Sequence, residues 1–221
     1  MILACVGQKG GSGKTTAALA VAAELFARGR RVLLADADPQ GSCRTWAAVA
    51  AEAGKDCPTV AGVGPDLARP GQLPALAAGY GDVVIDCPPR RADVQRAALM
   101  VADLAIVPCG PSAVDAWALG ETLELVAAAR VVRPHLAAAV LLTRIMARTS
   151  IGQGAREALA GCGLPILAAE LGYRVAYQEA PAAGLGPAQY AGAGDPTAAE
   201  VRALVDELLS LAGKPARRAA R

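Results

Sequence analysis

The chain has 221 residues, of which 54% are hydrophobic, 3% aromatic and 19% charged, and its formal net charge is +2. Its length suits one medium-sized domain, its apolar content excludes a disordered chain, and its few aromatic residues argue against a platform that stacks bases or sugars. Residues 1–129 carry 11 basic and 13 acidic side chains and residues 130–221 carry 11 and 7. This basic excess in the C-terminal part agrees with a weak polyanion partner and does not indicate a strong basic groove.

Short apolar segments alternate along the chain with alanine-rich stretches of helical length, which is typical of β–α–β units around a parallel sheet. The apolar segments predict strands over Ile2–Val6, Arg31–Ala35, Asp82–Asp86, Asp103–Pro108, Ala138–Thr143 and Pro165–Glu170. The stretches between and after them predict helices over Lys14–Arg28, Ser42–Ala53, Asp93–Val101, Ala113–Val131, Ile151–Ala160 and Thr197–Leu211. Continuous apolar runs such as Val83–Ile85 indicate strands that are covered on both faces. We therefore predict an α/β fold with a doubly wound, mostly parallel sheet, and we interpret Cys57–Pro74 and Pro181–Pro196 as long connections.

The remaining features favour a single domain over residues 1–212, followed by a basic, disordered tail over residues 213–221. The longest apolar runs are far shorter than the roughly 18–20 residues that span a bilayer, so no membrane span is expected. The first positive charge, Lys9, follows the apolar N-terminal stretch instead of preceding it, unlike in a signal peptide. Six cysteines without a C-x-x-C pair, and a single histidine, argue against a zinc site or a disulfide framework and favour reduced thiols.

The first predicted strand leads directly into a glycine-rich run, Gln8-Lys9-Gly10-Gly11-Ser12-Gly13-Lys14-Thr15-Thr16, which a helical pattern follows. A strand, a glycine-rich turn and a helix N-terminus in this order are the context of a P-loop. Glycines let backbone N–H groups point at a phosphate, and the helix dipole adds positive potential there. We expect Lys14 to reach the β- and γ-phosphates and the Thr15 hydroxyl to bind Mg²⁺. The strict P-loop pattern has glycine where this chain has Gln8.

Lys9 is an additional lysine at the entrance of this loop. One lysine already serves the phosphates, and a second one at this place cannot easily reach the same nucleotide, so we interpret Lys9 as a residue that serves the nucleotide of a partner chain. The run K-G-G-x-G-K-T-T resembles the deviant Walker A loop of the ParA/MinD group of P-loop ATPases. That resemblance implies a homodimer that sandwiches ATP, in which Lys9 contacts the nucleotide of the opposite subunit and Lys14 its own. ATP would contact Gly10, Gly11, Ser12, Gly13, Lys14, Thr15 and Thr16.

Three carboxylates follow predicted strands. Asp36 and Asp38 lie in the string Asp-Ala-Asp-Pro-Gln after the second strand, and Asp86 ends the third. Ligands collect at the carboxyl ends of strands in doubly wound sheets, so these side chains are expected to face the phosphates. We interpret Asp86 as the Walker B residue that holds Mg²⁺, Asp36 as a support of the metal shell and Asp38 as the residue that orients the attacking water. The string also resembles the switch I motif of the family, which favours Asp38 over Asp36 as the hydrolytic residue.

Later segments resemble the small ParF-like partition ATPases of this group. The run Cys109–Trp117 resembles the proline-containing segment at their dimer interface, while Thr143, Arg144 and Leu171–Tyr177 resemble the region that packs on adenine and contacts DNA. The resemblance implies a cytoplasmic, nucleoid-associated ATPase that dimerises with ATP, binds DNA without sequence preference and is released by slow hydrolysis, which a cargo-adaptor or centromere-binding protein stimulates. The candidate DNA contacts are Arg144, Arg148, Arg156 and Arg174.

Several alternatives stay open at this point. A MinD-like membrane ATPase needs a C-terminal amphipathic helix with bulky apolar anchors, but Thr197–Arg221 contains no Phe, Trp or Tyr. An iron–sulfur reductase subunit needs cysteines that converge on a dimer axis, for which Cys87 and Cys109 are candidates. A tyrosine autokinase would carry a tyrosine cluster near its end, whereas the last tyrosine here is Tyr190. The sequence does not distinguish a plasmid, a chromosome origin, a carboxysome or a chemoreceptor cluster as the cargo.

Overall fold

A parallel β-sheet forms the centre of the computed structural model, which describes residues 1–146 and 149–213, the side chain of Gln153 excepted. Within these residues the sheet has seven strands: β1 (Ile2–Cys5), β2 (Val32–Asp36), β3 (Thr59–Gly62), β4 (Asp82–Asp86), β5 (Leu104–Cys109), β6 (Ala137–Ile145) and β7 (Ile166–Gly172). They lie in the order β3-β2-β4-β1-β5-β6-β7, and every neighbouring pair is parallel. The predicted doubly wound fold is confirmed. The predicted tail from Lys214 lies outside the described residues.

Helices cover both faces of the sheet. In the described part of the chain they are α1 (Lys14–Ala27), α2 (Ser42–Glu52), α3 (Leu73–Ala77), α4 (Ala92–Val101), α5 (Ala113–Trp117), α6 (Gly120–Val132), α7 (Ser150–Ala158), α8 (Ala176–Glu179), α9 (Pro187–Ala191) and α10 (Pro196–Gly213), with a short 3₁₀ helix over Ala180–Ala183. Alternate residues point to opposite faces: Leu3 and Cys5 of β1 belong to a buried cluster with residues of α1 and α10, while Ala4 and, directly after the strand, Val6 belong to the cluster that includes residues of α4 and α6. This burial on both faces explains why the strands read as continuous apolar runs.

The register of the central strands brings polar side chains to one edge of the sheet. Asp86, at the end of β4, pairs with Cys5 of β1 on one side and with Asp36 of β2 on the other. Because the strands are parallel, Cys5, Asp36 and Asp86 lie at the same carboxyl edge of the sheet, where β1 leads into the glycine-rich loop. The sheet therefore sets the distance between this loop and the two carboxylates.

Two predicted connections and one predicted helix were wrong. The stretch Cys57–Pro74 contains β3 and the start of α3, and β3 is an edge strand whose residues are at most partly buried, so its apolar pattern was weak. The stretch Pro181–Pro196 contains α9, which begins at Pro187, the position where helices favour proline. The predicted helix Ala113–Val131 is interrupted between α5 and α6, because α6 begins anew at Gly120.

The C-terminal helix α10 belongs to the core. Val201, Leu204 and Leu208 are fully buried at helical spacing, and α10 packs against α1, α9 and β7. Among the described residues, no helix combines the length and the apolar character that crossing a membrane requires.

Candidate functional site

The glycine-rich loop has the backbone conformation that its glycines predict. Gly11 and Gly13 have φ values of 72° and 97°, in the left-handed region that side chains other than glycine rarely adopt. Gly13 is the N-cap of α1, so the loop ends directly on a helix N-terminus. This arrangement presents backbone N–H groups and the positive end of a helix dipole to an anion.

Two buried side chains fasten the start of the loop. Gln95 of α4 is fully buried; its Oε1 accepts a hydrogen bond from the N–H of Gly7 at 3.1 Å, and its Nε2 donates to the carbonyls of Gly7 at 3.2 Å and Pro88 at 2.7 Å. The Oγ1 of Thr122 accepts from the N–H of Gln8 at 3.1 Å. No motif in the sequence indicates either partner, because they are 88 and 114 residues away from the loop residues that they bind. They support the loop at the position where the strict pattern has glycine.

Lys14 is the buried cation of the site. Its side chain is 5% exposed, and Nζ donates to the carbonyl of Lys9 at 2.8 Å. Burial lowers the pKa of Lys14, while the charges of Asp86 and Asp38 act in the opposite direction. The lysine is therefore held close to the loop backbone and to the carboxylates.

Asp86 is the buried carboxylate of the site. Burial raises the pKa of Asp86 to about 6, although the neighbouring side chains of Thr15 and Cys43 lower it. The Sγ of Cys43 lies 3.5 Å from Oδ2, and Oδ1 has no hydrogen-bond partner within residues 1–146 and 149–213. The structure thus brings the predicted metal ligands Thr15 and Asp86 together and leaves one oxygen available.

Asp36 lies beside Asp86 and is also buried. Its Oδ1 accepts from the N–H of Asp38 at 3.2 Å, and its Oδ2 accepts from the N–H of Arg44 at 3.1 Å. The ligand atoms of Asp36, Asp86 and Cys43 lie within 4.8 Å of one another. The site therefore offers the oxygen donors that Mg²⁺ prefers and, in addition, a sulfur.

A cleft of about 330 Å³ opens beside the loop. Eight residues that were predicted to contact ATP, Mg²⁺ or the attacking water border it: Gly11, Gly13, Lys14, Thr15, Thr16, Asp38, Thr143 and Arg144. The opposite wall is formed by Leu171, Gly172, Tyr173, Arg174, Tyr177 and Gln178. Lys9 and Ser12 border a separate, smaller cavity with Asp115. The cleft is in the size range of small-molecule sites.

Lys9 makes an ion pair within its own chain. Its Nζ donates to the Oδ1 of Asp115 at 2.8 Å, and the same oxygen accepts from the Nη2 of Arg144 at 3.1 Å. Asp115 also forms the capping box of α5 with Ser112. Burial would raise the pKa of Asp115, but the hydrogen bonds from Lys9 and Ser112 outweigh burial and place it below its usual value. Asp115 thus holds two cations that the sequence assigned to nucleotide contacts.

Residues 3–188 match the family described as the CobQ/CobB/MinD/ParA nucleotide binding domain. This chain belongs to that family. It is a member of the ParA/MinD-type positioning and partition ATPases, so the resemblance of the glycine-rich loop is confirmed.

Relatives match this nucleotide-binding domain over nearly its full length. The Maintenance of carboxysome distribution protein A of Halothiobacillus neapolitanus is 33% identical over 210 residues, which are 94% of this chain and 95% of that protein. A variant of Cyanothece McdA in complex with ATP has a TM-score of 0.75 at 18% identity, covering 95% of this chain and 96% of that one. The Pyrococcus horikoshii MinD complexed with Mg-ADP has a TM-score of 0.70 at 20% identity, covering 96% and 97%. The two solved structures support the shared fold.

The arginines predicted to contact DNA are paired within the chain wherever the structure describes them. Arg144 pairs with Asp115, and its φ of 57° coincides with an irregular step in the pairing of β6 with β7. Arg156 donates to the carbonyl of Leu167 at 2.9 Å. Arg148 lies outside the described residues. Their contact with DNA stays a prediction.

Arg174, the fourth of these arginines, belongs to a cluster around Glu200 of α10. The Oε1 of Glu200 accepts from the Nε of Arg174 at 2.8 Å and from its Nη2 at 2.5 Å. The Oε2 accepts from the hydroxyl of Tyr177 at 2.9 Å and from the N–H of Gly172 at 3.0 Å. Gly172, Arg174 and Tyr177 all border the cleft, so Glu200 fastens its far wall to the C-terminal helix. No motif in the sequence indicates this role.

Replacing Glu200 by Gln should therefore weaken nucleotide binding. We expect the Kd of a fluorescent adenine nucleotide to rise by about tenfold, because charge-assisted hydrogen bonds contribute about 1.5–3 kcal/mol. The control is Glu207→Gln on the same helix, since Glu207 binds the N–H groups of Ala168 and Ala169, which do not border the cleft. Equal loss of affinity in both variants would contradict a specific role of Glu200.

The pKa of Asp86 predicts a pH-dependent cost of folding. The folded chain favours the protonated form of Asp86. The contribution of Asp86 to the free energy of unfolding is therefore greatest below 3.8, the pKa of an exposed aspartate, and it is lost as the pH rises through about 6. The side chain of Asp86→Asn mimics the protonated carboxyl and does not titrate. When the pH rises from about 4.5 to about 7.5 without metal, the free energy of unfolding of the wild type should therefore fall by about 2 kcal/mol relative to that of Asp86→Asn.

Urea unfolding of both proteins at the two pH values measures this gain. The control is Asp93→Asn, because a hydrogen bond from Arg91 lowers the pKa of Asp93 to about 2, so that its stabilising effect changes little in this window. A difference between wild type and Asp86→Asn that does not change with pH would exclude the assigned pKa.

Proposed function

We propose that this chain is a Mg²⁺-dependent ATPase that positions a cargo on nucleoid DNA in the cytoplasm. ATP joins two copies into a homodimer, the dimer binds DNA without sequence preference, and slow hydrolysis releases it. The observation that carries this proposal is the pair of lysines at the loop: Lys14 lies in the cleft, and Lys9 lies outside it on a neighbouring surface.

The donors at the loop fit MgATP. The backbone N–H groups of residues 10–13, the N-terminus of α1 and the charge of Lys14 suit the phosphates. Thr15, Asp36 and Asp86 suit Mg²⁺, and the buried Oδ1 of Asp86, which lacks a partner among the described residues, is a ligand atom in need of a cation. When bound, Mg²⁺ supplies charge neutralisation at the β- and γ-phosphates.

Asp38 is the residue that we propose orients the attacking water. It borders the cleft, and its N–H is fixed by Asp36. The two arginines that border the cleft in the described part of the chain, Arg144 and Arg174, are both held by carboxylates. Neither is free to stabilise charge in the transition state, so turnover should be slow until a partner protein rearranges the site.

Lys9 would act across the dimer interface. To do so it must leave Asp115, which retains Arg144 as a second cation and the hydrogen bonds of its capping box. Beside Asp115, α5 exposes Val114 by 58% and Trp117 by 78%, apolar surface that a second copy can cover. The ion pair and the exposed α5 thus support an interface on this side of the loop.

DNA binding and cargo are the finer parts of the proposal. The basic excess of residues 130–221 gives each subunit a weak attraction to a polyanion, and a dimer sums two such surfaces. The alignment with a protein named for maintenance of carboxysome distribution, at 33% identity, covers 94% of this chain. It favours a large protein assembly over a plasmid as cargo, with an adaptor protein as the partner that stimulates hydrolysis.

The lysine roles can be separated by substitution. We expect Lys14→Ala to lose ATP binding, because its charge meets the phosphates, and Lys9→Ala to bind ATP but stay monomeric. Light scattering after size exclusion, combined with binding of a fluorescent ATP analogue, measures both properties. Lys55→Ala, on an exposed loop, is the control. A Lys9→Ala protein that still dimerises with ATP would refute the role in trans.

DNA binding is tested with a variant that cannot turn over. Asp38→Ala should retain the ATP dimer, because it loses the residue that orients water, and it should stay bound to DNA fragments of unrelated sequence. Gel-shift assays over a range of salt concentrations measure this binding, which should weaken as salt rises. Flotation with anionic vesicles and ATP is the parallel arm. Binding to lipid without binding to DNA would replace this proposal by a membrane-associated ATPase.

A further inference from the structure

Three donor atoms of different character converge at the carboxyl edge of the sheet. The carboxylates of Asp36 and Asp86 and the Sγ of Cys43 lie within 4.8 Å of one another, and all three residues are at most 1% exposed. Asp36 and Asp86 come from paired positions of β2 and β4, and Cys43 comes from the first turn of α2. The fold therefore fixes each donor on a different element.

A buried oxygen in this cluster indicates a cation. The Oδ1 of Asp86 accepts no hydrogen bond from the part of the chain that the structure describes, although Asp86 is 0% exposed. A buried carboxylate oxygen without a partner is costly unless it binds a metal ion. Its neighbour Oδ2 lies 3.5 Å from the Sγ of Cys43, so a cation at this carboxylate would meet the sulfur.

We propose that this cluster is a binding site for a thiophilic divalent cation of the Zn²⁺ class, with Cys43, Asp36 and Asp86 as ligands. The inference rests on the proposed function, because two of these ligands also belong to the proposed Mg²⁺ site. The two ions therefore compete, and the thiophilic ion inhibits ATP turnover. Mg²⁺ is a hard cation that takes oxygen ligands, whereas thiolate sulfur selects Zn²⁺ and similar ions.

The spacing of the donors suits tetrahedral coordination. Zn–S and Zn–O bonds of about 2.3 Å and 2.1 Å at tetrahedral angles separate the two ligand atoms by about 3.6 Å. The observed separation of Sγ and Oδ2 is 3.5 Å. Three protein ligands would leave the fourth coordination position to water, as in zinc sites with an open position.

The charges at the cluster also suit a divalent cation. When the metal–sulfur bond forms, the thiol proton of Cys43 leaves to solvent. The ion offsets two of the three negative charges, and the guanidinium of Arg44, whose Nε lies 3.5 Å from the Oδ2 of Asp36, faces the third. Of the three donors, Asp36 borders a surface cavity of about 240 Å³, which Asp38, Arg44 and Arg91 also line.

Co²⁺ is the probe for this site, because its bond to thiolate sulfur gives a charge-transfer absorption band in the near ultraviolet. The nucleotide-free protein is titrated with Co²⁺, and Zn²⁺ is then added to displace it. We expect the band in the wild type, loss of the band in Cys43→Ala and Cys43→Ser, and a Co²⁺ Kd at least about tenfold higher in both variants. The control is Cys57→Ala, a partly exposed cysteine, which should retain the band.

Activity measurements separate this inference from the proposed function. We expect Zn²⁺ to inhibit the Mg²⁺-dependent ATP turnover of the wild type. In Cys43→Ala, half-inhibition relative to that variant's own Zn²⁺-free turnover should need at least about tenfold more Zn²⁺. No band in the wild type, or a band that persists in both Cys43 variants, would overturn the thiophilic site even if turnover is normal. Absence of Mg²⁺-dependent turnover in the wild type would instead remove the proposed function, while a Cys43-dependent band would still establish the metal site.

Discussion

The pairing of β1, β4 and β2 at their carboxyl ends is the constraint on which the site depends. Because Asp86 is opposite both Cys5 and Asp36, a shift of one residue in either pair would turn a carboxylate to the other face of the sheet. The same register sets where β1 ends and hence where the loop begins. The cation of Lys14 and the carboxylates thus meet in a region that excludes water, where their charges interact strongly.

Burial makes this region costly for folding and useful for binding. Asp86 is fully buried with an oxygen that lacks a partner among the described residues, and burial shifts the pKa values of Asp86 and Lys14 toward their neutral forms. Groups with such shifts are concentrated at functional sites, since a ligand of opposite charge recovers the lost solvation. In this site, phosphates and a divalent cation are the ligands that would satisfy both signs of charge.

The cations around the cleft are restrained by carboxylates from distant elements. Asp115 of α5 holds Lys9 and Arg144, and Glu200 of α10 holds Arg174. The ion pairs of Asp115 and of Glu200 lie beside the loop and the cleft. A movement of α5 or α10 that broke these pairs would therefore change which charged side chains face the nucleotide. Such pairs allow a second protein chain to influence the site without entering it.

The sequence by itself determined the family, the parallel sheet and the loop, because glycines, lysines and strand-end carboxylates at short spacing leave a strong local pattern. It missed β3, whose residues are at most partly buried at the sheet edge, and the break before Gly120. The spacing of the cysteines argued against a zinc site, whereas the fold places Cys43 beside Asp86. Only the tertiary structure decided these contacts and those of Asp115 and Glu200, because their partners are far apart in the chain and meet only when the sheet and its helices pack together.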